Sequence, residues 1–504
     1  MSRQRIKQRG LIGVLLLVTI AVVAVAVFSK NIWGDDSRTY QQKVNREALK
    51  QAKAALLDYV EVGSQGQLSG ALGTSTSGTA VILGRLPCPN QDGNGVSENP
   101  NCGIGTAYKT TGQHSLGLFP WSTLNVAAPR DASHQCLWYA VDGAFKISPA
   151  TSPLNSDSFG SFSIIQPVKP TNPALLSAAW PTQLLAGNLS NSAANSSPDR
   201  VVAVIMASGS AGGTQTQTSV GGTTYTCGLT RSLSGVPHAE TSAPDFLKYY
   251  SSTVNNQSLL PSTGGAPIAN VANPTLTPIG ALKTFITADI GQEQLNDQVV
   301  WITAEEFSRA ATKRVAGILA HLINTNYIAF TGNYPPASTT PGGPCSTTSP
   351  RLLQGFIPGT CGGRQIIPIS PNRLDPSNDI DLWLGQAHYA VSQHCIAGGT
   401  IVHPCASGTK RVNIGGSTAP AILLMRGRAL SGQTPCAYTA SVNFSSVASN
   451  TIVNCLEGTN RTVVTSAITA AAATGSYVTD ISTIQYSAPN PSSSNDYMFQ
   501  FTLQ

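Results

Sequence analysis

The chain has 504 residues, of which 41% are hydrophobic and only 11% charged, against a typical charged share of about 25%. At this length two or three domains are expected, and the abundance of Ser, Thr, Gly and Asn argues for an exported, β-rich protein rather than a cytosolic enzyme. The formal charge is +6, but Arg3, Arg5, Lys7 and Arg9 all precede Gly10, and the absence of any later Lys/Arg cluster removes electrostatic support for nucleic-acid binding.

The basic stretch runs into Gly10, and an uncharged apolar run without proline follows from Leu11 to Phe28. A secretory signal peptide ends in a small-residue cleavage site after its apolar core; here the candidate cut site, Gly10, comes before it. The run is just long enough to cross a bilayer, for which about 20 residues are typical. A helical pattern from Tyr40 to Val60 continues it, with Glu47, Lys50, Lys53 and Asp58 interleaved with Ala48, Leu49, Ala52, Ala55, Leu56 and Leu57.

Lys7-Gln8-Arg9-Gly10-Leu11, the apolar run and this amphipathic continuation resemble the type IV pilin and type II secretion pseudopilin superfamily. The resemblance implies cutting by a prepilin peptidase after Gly10, a mature chain starting at Leu11, and an apolar helix that packs with other pilin or pseudopilin subunits. One residue departs from the pattern: the family carries Glu at the fifth position after the cut, where Leu15 stands. In the family that Glu pairs with the terminal amine of a neighbouring subunit, and exceptions resemble tip subunits. The alternative is an uncleaved signal-anchor helix.

Beyond the helix the chain reads as two related modules. Gly84-Arg85-Leu86-Pro87 parallels Gly332-Asn333-Tyr334-Pro335, and Tyr139-Ala140-Val141 parallels Tyr389-Ala390-Val391. The apolar run Val201–Gly209 parallels Ala421–Gly427, and Asn296–Thr303 parallels Asn495–Thr502. The offset shrinks from 248 (Pro87/Pro335) to 199 (Asn296/Asn495), which places extra loop sequence in the first copy within 151–200 and 210–290. Thr303-Ala304-Glu305-Glu306 is a capping box opening a second helix, whose apolar stripe is Phe307, Ala311, Val315, Ile318 and Leu322. Short apolar runs rich in β-branched residues predict buried strands.

Ten cysteines follow the apolar run: Cys88, Cys102, Cys136, Cys227, Cys345, Cys361, Cys395, Cys405, Cys436 and Cys455. In an exported chain they are expected to form disulfides. Sequence neighbours suggest 88–102, 345–361, 395–405 and 436–455, leaving 136–227, but sequence does not fix connectivity. Asn90, Asp92 and Asn94 present oxygens at alternate positions and Glu98 follows, a spacing that suits either an Asn/Asp/Gly turn or a Ca²⁺ loop. His388, His394, Cys395, His403 and Cys405 lie close in sequence; zinc is one reading, a disulfide with bystander histidines the other. No hydrolase elbow or phosphate-binding loop is present, so enzymatic activity is not expected.

The fold expected is α+β: a leader (1–10), a long membrane and amphipathic helix (11–62), and two tandem pilin-like heads (63–302 and 303–504), each a helix on an antiparallel sheet, stapled by disulfides. The function expected is that of a minor, tip-located subunit of a type IV pilus or type II secretion filament, anchored in a bacterial inner membrane with periplasmic heads and reaching the surface on assembly. A membrane-anchored adhesin with an unknown surface ligand is the alternative, and a tethered periplasmic enzyme a third.

Overall fold

The computed structural model describes residues 39–62, 84–90, 94–97, 114–146, 154, 156, 158, 160–167, 182–186, 200–209, 283–287, 297–346, 353–367, 383–396, 412–427, 456, 460, 462, 464, 485–486 and 496–502. Helix α1 (39–62) is rich in Ala, Leu, Lys and Glu, good helix formers. It buries Asn45, Ala48, Leu49, Ala52, Ala55, Leu56 and Val60, at spacings of three and four, and exposes Lys43, Arg46, Glu47, Lys50 and Asp58. Among the described residues no helix is long and apolar enough to cross a membrane; the run 11–28 lies outside them.

Helix α2 (Ala304–Ile323) starts where its sequence signals: Thr303 Oγ1 accepts from Glu306 N at 3.2 Å, and Glu306 Oε2 accepts from Thr303 N at 3.0 Å. It is buried on most sides, leaving Arg309, Lys313 and His321 exposed on one line. Gly317 stands on the same line, and a Cβ there would meet no atom within 4 Å. Glycine inside a helix forfeits roughly 0.5–1 kcal/mol relative to alanine. Gly317→Ala is therefore expected to stabilise the chain by about that amount, read as a raised denaturation midpoint.

The strands of the first half are β1 (Ser115–Leu118), β2 (Trp138–Val141), β3 (Phe162–Pro167), β4 (Thr182–Ala186), β5 (Val201–Ala207), β6 (Lys283–Ile286) and β7 (Gln298–Thr303). Those of the second are β8 (Gln354–Phe356), β9 (Thr360–Cys361), β10 (Arg364–Gln365), β11 (Ala387–Val391), β12 (Val412–Ile414), β13 (Ser417–Ala419), β14 (Ala421–Met425), β15 (Gln485–Tyr486) and β16 (Tyr497–Gln500).

The path β1-β2-β5-β7 in the first half and β8-β11-β14-β16 in the second share order and antiparallel sense. The register repeats residue by residue. Tyr139 faces Gly117 and Ile205, which faces Val300; Tyr389 faces Gly355 and Leu423, which faces Phe499. Details outside the sheets repeat too. Tyr139 Oη donates to Pro87 O at 3.2 Å and Tyr389 Oη to Pro335 O at 3.1 Å. Leu86 N donates to Phe145 O at 2.9 Å and Tyr334 N to Cys395 O at 2.7 Å. The two halves thus share one arrangement of strands, register and turn contacts.

β5, β11 and β14 are buried along their whole length, as strands covered on both faces must be. Tyr139, Val141 and Ile205 face the helices, while Ala140, Val204 and Met206 face a second apolar layer with Phe162, Ile164 and Phe285. A register shift between Val201 and Ala203 puts Val202 and Ala203 together on the helix side, as an inserted residue in one strand does. The polar inserts of the first copy, expected as loops, thus contribute strands: β3 joins β5 and carries β4 and β6. Phe162 and Phe285, at 5.1 Å between ring centroids, give these strands a reason to form, because they cover the outer face of the sheet.

One continuous core joins the halves, running from Leu49 and Leu56 of α1 through Phe307 and Val315 of α2 to Tyr389 and Leu423. Lys53 Nζ meets Glu306 Oε1 at 2.5 Å, and Lys313 pairs with Glu61. Residue numbers rise together across these pairs, so α1 and α2 lie side by side and parallel. Such partly exposed pairs contribute about 0–1 kcal/mol; they set the register more than they stabilise.

Candidate functional site

A buried polar cluster lies in the first copy, between the start of β1, the turn after β2 and the start of β3. Asp142 follows the β2 strand and is 2% exposed. Its Oδ1 accepts from Ala144 N at 2.9 Å, and its Oδ2 accepts from Ser161 N at 2.7 Å and from the Ser161 hydroxyl. His114 Nδ1 stands 3.7 Å from Asp142 Oδ1, and its Nε2 is 3.3 Å from Ser161 Oγ. Lys146 Nζ donates to Ser115 Oγ at 3.3 Å, and burial brings its pKa down to about 8 against the pull of nearby Asp142.

Ser, His and Asp are thus together, but not in the order of a nucleophilic triad. There the imidazole takes the serine proton, and the carboxylate holds the opposite ring N–H. Here His114 Nδ1 accepts from Gly143 N at 3.1 Å, which leaves the ring proton on Nε2, aimed at the serine oxygen. The Ser161 hydroxyl donates to Asp142 instead. This chemistry holds a turn in place and does not activate Ser161.

The second copy lacks the cluster. Applying the repeat, Ser392 stands where Asp142 does, Ile396 where Lys146 does, and Leu353 where Ser115 does. Ser392 Oγ still accepts from His394 N at 3.3 Å, the counterpart of the Asp142–Ala144 bond. Sequence reasoning missed the cluster because its members are far apart; aligning the copies position by position, Lys146 against Ile396, carries the signal.

The second copy has a network of its own. Tyr486 Oη donates to Gln354 Oε1 at 2.9 Å and lies 3.3 Å from His388 Nε2. His388 is fully buried, and desolvation lowers its pKa to about 3, from about 6.5 in an unfolded chain. Between these values the unfolded state binds the extra proton, so stability rises with pH across that window and falls as acid is added. His388→Leu is expected to flatten the slope of stability between about pH 3 and 6.5, measured by denaturant unfolding at stepped pH; an unchanged slope would contradict the assignment.

The residues singled out from sequence fall as follows. Gly10, Leu11 and Leu15 lie outside the described residues, as do Asp92, Glu98, Cys102, Cys227, Cys405, Cys436 and Cys455. Cys345 and Cys361 form a disulfide with Cα atoms 5.0 Å apart, and Cys88, Cys136 and Cys395 are also oxidised. Asn94 Oδ1 accepts from Asn90 Nδ2 at 3.0 Å and from Val96 N at 2.6 Å. A second Asn90 Nδ2 bond reaches Val96 O at 2.8 Å, so hydrogen bonds close this loop. Trp121 covers it, with its ring where a Cβ on Gly95 would stand. Among the described residues no group of three or more His, Cys, Asp or Glu is placed to hold a metal.

Comparison with known protein families, curated proteins and solved structures found no match.

Proposed function

We propose that the chain is a minor pilin-like or pseudopilin-like subunit located at the tip of a type IV pilus or type II secretion filament. The observation that carries this is the order of the N-terminal features: Arg3, Arg5, Lys7 and Arg9, then Gly10, then the apolar run 11–28. A cut before an apolar helix, rather than after it, leaves that helix on the mature protein as a membrane anchor and packing element. Helix α1, apolar on one face and charged on the other, suits a stem that joins such an anchor to a folded head. The anchor sits in the bacterial inner membrane, the heads face the periplasm, and the partners are other pilin or pseudopilin subunits and a prepilin peptidase. Leu15 favours the tip: a shaft subunit without a carboxylate there leaves its neighbour's terminal amine uncompensated in an apolar setting, which costs several kcal/mol.

Two measurements test the proposal. N-terminal sequencing of protein extracted from membranes of cells with an active prepilin peptidase is expected to begin at Leu11; a start at Met1 or Ser2 overturns processing. Immunogold labelling of sheared filaments is expected at ends and at low copy number; continuous labelling along the shaft overturns the tip assignment.

A further inference from the structure

Helix α2 does not end as a regular α-helix. Its last turn widens through Asn324–Ile328 and ends in Ala329–Thr331, where Phe330 is 66% exposed. The Arg364 guanidinium lies over the Phe330 ring, 4.6 Å from its centroid. Arg364 belongs to the hairpin β9–β10, whose loop is Gly362-Gly363 with φ of 58° and 78°. Both glycines take the positive φ that a tight type I′ hairpin demands.

This knob is built to keep its shape. The Cys345–Cys361 disulfide anchors one strand, Cys345 N donates to Thr360 O at 2.8 Å, and Ile366 N donates to Gly359 O at 2.7 Å. Asn326 Nδ2 ties the hairpin to the helix end through Ile366 O at 2.8 Å. Two exposed cations of α2 have partners, Arg309 with Glu305 and Lys313 with Glu61. Among the described residues the guanidinium of Arg364 has no hydrogen bond or ion pair, and it lies over the Phe330 ring. From Phe307 to Leu374 the sequence contains no Asp or Glu, but it has Arg309, Lys313, Arg314, Arg351, Arg364 and Arg373.

We infer that the Phe330–Arg364 knob is a docking surface for a carboxylate-bearing segment of another protein. A stacked guanidinium keeps its in-plane N–H fork free for a carboxylate, which it binds bidentately. Aromatic residues, Phe among them, and Arg are enriched at protein interfaces. The side chains stand out from the surface instead of lining a recess, whereas small ligands take concave sites. A protein partner can supply the recess for Phe330. A stretch of chain with six Lys and Arg and no carboxylate, from Phe307 to Leu374, favours an acidic partner.

The test uses the full-length chain in detergent and fluorescence anisotropy with short labelled peptides of alternating Leu and Glu, beside the same peptides with Gln for Glu. Binding of the Glu peptide is expected, with the Gln peptide about tenfold weaker or worse. Phe330→Ala and Arg364→Lys should each weaken it by about tenfold or more, the second because lysine keeps the charge but loses the fork. Arg309→Ala should leave it unchanged. The inference is overturned if the Glu peptide does not bind, if Arg364→Lys binds as well as the parent, or if Arg309→Ala costs as much as Arg364→Lys, which would signal diffuse charge attraction. Displacement of the peptide by polygalacturonate at equal carboxylate concentration would assign the knob to an anionic glycan and overturn the protein partner. Should Phe330→Ala lower the melting temperature, the Arg364→Lys comparison decides alone.

Discussion

Replacing Asp142 by alanine is expected to destabilise the chain by about 3–5 kcal/mol, the range seen when one partner of a buried charged network is removed. The carboxylate accepts from Ala144 N, Ser161 N and the Ser161 hydroxyl. It is also the nearby anion that offsets part of the burial of Lys146, which is 0% exposed. Alanine leaves three donors without their acceptor and a buried ammonium without its counter-charge. The second copy shows how the same position works without ions. Converting all three sites to its residues, Asp142→Ser with Lys146→Ile and Ser115→Leu, is therefore expected to cost less than Asp142→Ala alone, because an apolar replacement of a whole buried charge set is often near neutral. Denaturant unfolding with an unchanged m-value reads both. A single variant within about 1 kcal/mol of the parent, or a triple variant worse than the single one, would contradict this account.

Phe307→Ala is expected to cost about 3–5 kcal/mol, the usual loss for truncating a fully buried phenylalanine. Phe307 is 1% exposed and meets Phe145 edge-to-face at 4.8 Å between centroids. Phe145 belongs to the first copy and Phe307 to the helix that opens the second, so the cavity would lie at their junction. Because the core is continuous, hydrogen-exchange protection should drop in β5 and in β14 together. Loss confined to one half would mean that the halves open separately.

The helix ends and central strands were legible because their signals are local. Thr303 and Glu306 are close enough in sequence for one capping box, and runs such as Val201–Ala207 are too apolar to be anything but interior. The repeat was legible through landmarks kept in order, such as Pro87 and Pro335. The strands inside the first copy's inserts were not. Phe162, Ile164 and Phe285 sit in short apolar groups flanked by polar and small residues, and what selects the strand is the outer face of β2 and β5 that these residues cover, which only tertiary structure supplies. The cluster of His114, Asp142, Lys146 and Ser161 escaped for the same reason. So did the stacking of Arg364 on Phe330, residues set on different elements and joined by the fold alone.

The side-by-side helices have a temporal consequence. Lys53 and Glu306 are 253 positions apart, and a chain growing at about 5–20 residues per second makes the second on the order of tens of seconds after the first. Throughout that interval Leu49, Leu56 and Val60 have been synthesised while the helix that shares their core does not yet exist. The nascent first half is thus an apolar surface awaiting its cover, and the cell must shield it until synthesis passes Ile323. A stop in translation near residue 302 would release an adhesive fragment rather than a small folded head.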